Sequence, residues 1–118
     1  MIGREYGDYL QDIIDAIFEV GEFTRGMDDE AFKKDRKTVN AVIRSLEVIG
    51  EAAKRIPESI RKKYPAVPWK RMAGMRDKLI HEYSGVDLDT VWGVVKLELP
   101  PLFSLVRAAL NDLEDKSP

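Results

Sequence analysis

The chain has 118 residues, 44% of them hydrophobic and 34% charged, with a net charge of −2. That length fits one compact domain, residues 1–118, and no apolar run reaches the ~18–20 residues of a membrane span. With no cysteine and a single histidine, His81, disulfides, thiolate zinc sites, a cysteine nucleophile and multi-histidine metal sites are all excluded. The start, Met1-Ile2-Gly3-Arg4-Glu5-Tyr6, lacks the apolar stretch of a signal peptide, which points to a cytoplasmic protein.

Apolar periodicity is helical nearly throughout, and predicts an all-α, up-down bundle of four main helices with short extra turns. Tyr6, Leu10, Ile13, Ile14, Ile17 and Phe18 recur at three- and four-residue steps as the stripe of a first helix. Gly26 and the pair Asp28-Asp29 interrupt it, and Asp28 is placed to cap a short piece running to about Lys34. A second long helix covers about Arg36 to Ile56, its stripe formed by Val39, Val42, Ile43, Leu46, Ile49, Ala53 and Ile56, until Pro57 stops it.

Pro57 to Pro68 forms a proline-rich link with room for one helical turn, and Pro68 suits the first turn of a third helix from about Trp69 to Ile80. Tyr83-Ser84-Gly85-Val86-Asp87 reads as a helix end and a new N-cap. Leu88, Val91, Trp92 and Val95 then begin a fourth helix, which Pro100-Pro101 must kink or split before Leu102, Leu105, Val106, Ala109 and Leu110 continue the stripe. Gly50, Gly74 and Gly93 fall inside helices, each at a cost of about 1 kcal/mol against alanine. Close helix packing within the bundle is the expected compensation, and close approach across a dimer interface is the alternative.

The average charge hides an asymmetry. Lys54, Arg55, Arg61, Lys62, Lys63, Lys70, Arg71, Arg76 and Lys78 are opposed within residues 54–78 only by Glu58 and Asp77, a local +7 on a body of −9. Such a segment is either an electrostatic footprint for an anionic partner or a solvated lysine-rich face. Arg76 falls in the apolar stripe of the third helix with Trp69, Met72, Ala73, Leu79 and Ile80, where a guanidinium needs a carboxylate or a cleft. Tyr83 returns to that face two turns later. His81 stands about 140° around an ideal helix from Arg76, so a straight helix does not aim the two at one point. Either the helix loosens near His81 or a second copy of the chain completes the site.

An Arg/His/Tyr set without thiol or metal cage suits phosphate chemistry. His81 titrates near neutrality and can move a proton, while Arg76 presents a planar fork to phosphate oxygens. RNA brings its own nucleophile in the 2′-hydroxyl. A lone histidine near a helix end also serves as a cap or a packing residue, and Arg-x4-His alone is a weak pattern.

A longer ordered series is specific: Ile49-Gly50-Glu51-Ala52-Ala53-Lys54, Tyr64-Pro65-x-x-Pro68-Trp69, Met75-Arg76, His81-x-Tyr83, Val86-Asp87, Val91-Trp92 and Leu99-Pro100-x-Leu102. Over roughly residues 5–110 the chain resembles the HepT toxins of the HEPN superfamily. That resemblance implies a helical, homodimeric, metal-independent endoribonuclease with no cofactor, its Arg-x4-His-x-Tyr site in a cleft between protomers. Arg76 and His81 then take the catalytic positions, and Tyr83, Glu82 and Lys78 those of substrate binding or modification. Glu82 departs mildly from the Asn or Asp common after the family's histidine. The implied partners are RNA and a minimal nucleotidyltransferase antitoxin that adds AMP to the motif tyrosine, here Tyr83. Added bulk and negative charge there would exclude RNA phosphates. Glu51 and Lys54 are weaker candidates for supporting roles. The competing function is a non-catalytic nucleotide- or partner-binding subunit of a two-chain nucleotidyltransferase, with a purely structural helical dimer as a third.

Overall fold

The computed structural model describes residues 5–81 and 87–115, with the helix backbone but not the side chains of 76–81. All regular structure among the described residues is helical. In chain order it comprises α1 (Tyr6–Phe23), α2 (Asp29–Lys34), α3 (Arg36–Lys54), α4 (Glu58–Lys63), α5 (Trp69–His81) and α6 (Leu88–Gly93). A π-helical turn (Val94–Glu98) then leads into α7 (Leu99–Asp115). α3 is the central element: it packs against α1 on one side and α5 on the other, and α7 closes the bundle against α1. None of the described helices is long and apolar enough to cross a membrane.

Local chemistry sets the boundaries. After α1 the Thr24 hydroxyl donates to the Val20 carbonyl at 2.8 Å, and Gly26, at φ 75°, takes the left-handed turn that a side chain would disfavour. Asp28 caps α2 by accepting from the Ala31 N–H at 2.8 Å, as its position before the short helix predicts. Asp35, the residue that follows α2, caps α3 through the Thr38 N–H at 3.1 Å, a bond that holds its carboxyl below the usual range. Asp87 caps α6 with bonds to the Asp89 and Thr90 N–H groups and to the Thr90 hydroxyl.

The core is built from the stripes that periodicity marks. Leu10, Ile13, Ile14, Ile17 and Val20 of α1 meet Val39, Val42, Leu46, Ile49 and Ala53 of α3, and Leu99, Leu102, Val106 and Leu110 of α7 close over them. Each large aliphatic side chain so buried contributes about 1.5–3 kcal/mol. Phe18, expected in the α1 stripe, is instead 61% exposed. At 100° per residue it lies about 40° beyond the edge of the buried arc that ends at Ile14.

The helix that carries the predicted site begins at Trp69 as expected, and the carbonyl of Pro68 just before it accepts the Met72 N–H at 3.0 Å. Two further expectations are refined. Pro100-Pro101 does not split the last helix. The prolines remove the donors for the Lys96 and Leu97 carbonyls and crowd them, and the chain answers by widening one turn earlier. The Leu99 N–H bonds Val94, five residues back, and both prolines then occupy the first turn of α7, where a missing donor costs nothing. Finally, a Cβ added at Gly74 or Gly93 would meet no atom within 4 Å, so close packing among the described residues does not explain either glycine.

Candidate active site on α5

α5 carries the predicted site, and its first turn is held from several directions. Trp69 is buried and Met72 fully so, both against the core. The Trp69 Nε1–H donates to the Tyr64 carbonyl at 3.0 Å, and the same carbonyl accepts the Val67 N–H at 3.2 Å. The Tyr64 hydroxyl donates to the Asp112 carboxylate near the end of α7. Burial, with Asp112 beside it, pushes the Tyr64 pKa from 10.0 up to about 12. The Tyr64-Pro65-x-x-Pro68-Trp69 series is therefore a lock that fixes where α5 begins. Within the same turn, the Arg71 Nε–H donates to the Glu98 carboxylate on the π turn, and this bond raises the arginine's pKa further.

The backbone is α-helical as far as His81. Arg76, Lys78 and His81 thus share one helix, with Arg76 and His81 separated by about 7.5 Å along the axis and about 140° around it. Of the two ways anticipated to reconcile them, loosening of the helix near His81 is not seen up to His81 itself, and the residues that follow it, 82–86, lie outside the described residues. The side chains of Arg76, Lys78 and His81, and the whole of Glu82 and Tyr83, lie outside the described residues.

The basic segment is more heavily engaged than its charge suggests. Arg61 donates to the carbonyls of Ile56 at 3.0 Å, Ala53 at 2.9 Å and Lys54 at 3.4 Å, which caps the C-terminus of α3. Arg55 pairs with Glu51 at 3.3 Å, Lys62 lies 4.0 Å from Glu58, and Arg71 is bonded to Glu98. Lys63 stands 6.0 Å from the Tyr64 ring centroid. The local +7 is therefore partly engaged in structure, and the side chains of Arg76 and Lys78 lie outside the described residues. Glu51, one of the weaker candidates, lines a groove of about 510 Å³ bordered also by Arg44, Glu47 and Arg55.

Three structural residues carry no local signal in the sequence, because their partners are remote. Asp112 and Tyr64 are 48 positions apart, Glu98 and Arg71 are 27 apart, and Lys33 and its partner Asp89 are 56 apart. Lys33 also lies 3.3 Å from Asp29, and the pair of carboxylates raises its pKa. Beneath this bridge the fully buried Phe32 meets the Trp92 ring at 5.0 Å, so α2 is fastened to α6, the first described element after the site helix.

The family model described as "Ribonuclease HepT-like" matches residues 13–109. The chain is 48% identical over 113 residues to the protein named "Putative RNase MJ0125" of Methanocaldococcus jannaschii, which covers 96% of this chain and 97% of that one. It is 52% identical over 99 residues to the "Probable ribonuclease HepT" of Thermococcus cleftensis, which covers 84% of this chain and 90% of that one. No solved structure gives a significant match. A family match across most of the chain, together with close relatives of nearly the same length, shows that the chain belongs to the HepT-like ribonuclease family.

Proposed function

We propose that the protein is a metal-independent endoribonuclease whose reacting groups are Arg76 and His81, and that it acts as the toxin of a toxin–antitoxin pair. The observation that carries this reading is the placement of both residues on one continuous helix in a chain of the HepT-like family. The names of the relatives support the same activity.

The 2′-oxygen of RNA attacks the adjacent phosphorus, and the bond from phosphorus to the 5′-oxygen breaks. One proton leaves the 2′-hydroxyl and one reaches the departing 5′-oxygen, a transfer that an imidazole near neutrality performs well. Arg76 offers paired donors to the phosphorane oxygens, where negative charge develops. The products are a 2′,3′-cyclic phosphate and a 5′-hydroxyl. Because Arg76 and His81 diverge by about 140° on their helix, the reading includes a homodimer in which a second copy completes each site.

Tyr83 follows as the residue that positions RNA and receives AMP from a nucleotidyltransferase antitoxin. Its phenolic oxygen would take the α-phosphorus of ATP while pyrophosphate leaves. Lys78 and Glu82 would line the approach of the strand. The test is expression of the chain alone, wild type beside His81→Ala, with growth, total RNA and intact protein mass followed together. Growth arrest and RNA fragmentation by the wild type only would support the reading. Intact RNA and normal growth in both, with folded and unmodified protein, would favour a non-catalytic binding subunit.

A further inference from the structure

A groove of about 550 Å³ runs between the second half of α1 and the chain from the π turn into α7. Phe18, Gly21, Pro100 and Phe103 line it, and Phe18 is largely exposed. Gly21 is also exposed, in a regular turn of α1 where glycine costs about 1 kcal/mol against alanine. A Cβ there would meet no atom within 4 Å among the described residues. The described packing of one chain therefore gives no reason for this gap in the groove wall.

The two banks of the groove carry opposite charge. On the α1 bank Asp15, Glu19 and Glu22 are opposed only by Arg25, a net −2. Across the groove stand Lys96 on the π turn and Arg107, which follows Phe103 by one turn of α7, a net +2. Lys96 lies 5.3 Å over the Trp92 ring and Arg107 5.7 Å over the Phe103 ring, and neither is paired with a carboxylate among the described residues. These charges do not meet across the groove within one chain. Glu22 pairs with Arg25 on its own bank, and Asp15 accepts from the Gln11 amide at 2.9 Å. A phosphate backbone laid here would meet the carboxylates of α1, and a partner of one sign would suit one bank only. A second copy turned about a two-fold axis along the groove satisfies both banks, the self-complementarity that an isologous contact requires.

We propose that this groove docks a second copy of the chain, each acidic bank lying against the other copy's basic bank. Gly21 lets the helices approach closely, and the apolar groove floor with Phe18 and Phe103 forms the centre of the contact. The contact is distinct from the pairing invoked to complete the active site, because α3 stands between α1 and α5. It does not rest on the ribonuclease reading. The two pairings together build a tetramer, and this one alone a dimer.

The experiment is sedimentation velocity over a concentration series on the full-length wild type, Gly21→Leu, D15K/E19K and K96E/R107E, with melting curves to establish folding. Every substituted position is exposed. Wild type should sediment as a dimer or tetramer. Each variant should sediment at half that mass while remaining folded, its association weakened at least about tenfold. Mixed one to one, the two charge variants should regain the wild-type mass, since one then carries two basic banks and the other two acidic ones. A monomeric wild type, wild-type mass in all three variants, or no recovery on mixing overturns the proposal. Unchanged mass with altered RNA affinity in Gly21→Leu would assign the groove to nucleic acid and overturn it equally. RNA cleavage enters none of the mass readouts, so failure of the ribonuclease reading leaves this test intact.

Discussion

The Tyr64 hydroxyl donates to the Asp112 carboxylate, tying the link before α5 to the far end of α7. Replacement of Tyr64 by Phe should cost about 1 kcal/mol in urea unfolding. The hydroxyl titrates near 12 in the fold against 10.0 when free, so the folded state holds the proton more tightly. The tyrosine's contribution is therefore complete below pH 10.0 and is lost as pH rises towards about 12. Unfolding midpoints compared at about pH 8 and about pH 11 should fall more steeply for wild type than for Tyr64→Phe. Equal slopes would count against this role for Tyr64.

Arg61 sits in the basic segment but spends its guanidinium on the carbonyls of Ala53, Lys54 and Ile56. Arg61→Ala should lower stability by about 1–2 kcal/mol yet leave RNA affinity unchanged well below the melting temperature. Lys70, which is exposed, should show the opposite pattern on substitution by Ala: unchanged melting and weaker RNA binding in low salt. Loss of RNA affinity with Arg61→Ala in a folded protein would place it in the RNA footprint.

Among the described residues, nothing stands within 4 Å of where a Cβ of Gly74 or Gly93 would be. In the isolated chain either Gly→Ala change should stabilise its helix by up to about 1 kcal/mol. Gly74 lies on the site helix, and the homodimer proposed above would bring a second copy against this face. Gly74→Ala should then weaken association in analytical ultracentrifugation, while Gly93→Ala should not. Stabilisation by both with no change in association would remove Gly74 from the interface.

Phe32 has no exposed surface and meets the Trp92 ring at 5.0 Å. Truncation to Ala should cost about 3–5 kcal/mol and shift the tryptophan emission to the red as water reaches the indole. A change below about 1 kcal/mol would mean that α2 is not anchored through this contact.

The parts of the fold legible in the sequence were those set by neighbours. Asp28 and Asp87 announced their helices because an N-cap needs only a carboxylate and the next turn of N–H groups. Stripes on α1 and α3 marked the core because period and burial coincide. Phe18 escaped, since a stripe read by spacing alone does not say where the buried arc ends. Pro100-Pro101 signalled a disturbance, but whether a helix kinks, splits or widens depends on what α7 must keep facing the core. Asp112, Glu98 and Asp89 were illegible for the opposite reason: each becomes a partner only once remote helices are stacked. For the site, the sequence supplied Arg76 and His81 and their angular mismatch, and the structure adds that α5 stays α-helical between them.

Cleavage by the 2′-hydroxyl of RNA, with His81 moving the protons and no metal involved, is tested most directly by end-group analysis of RNA fragments produced by purified full-length protein in excess EDTA, wild type beside His81→Ala. Wild type should cleave undiminished and leave 2′,3′-cyclic phosphate and 5′-hydroxyl ends, and His81→Ala should lose at least about a hundredfold in rate. Fragments with 3′-hydroxyl and 5′-phosphate ends that disappear on chelation would contradict it.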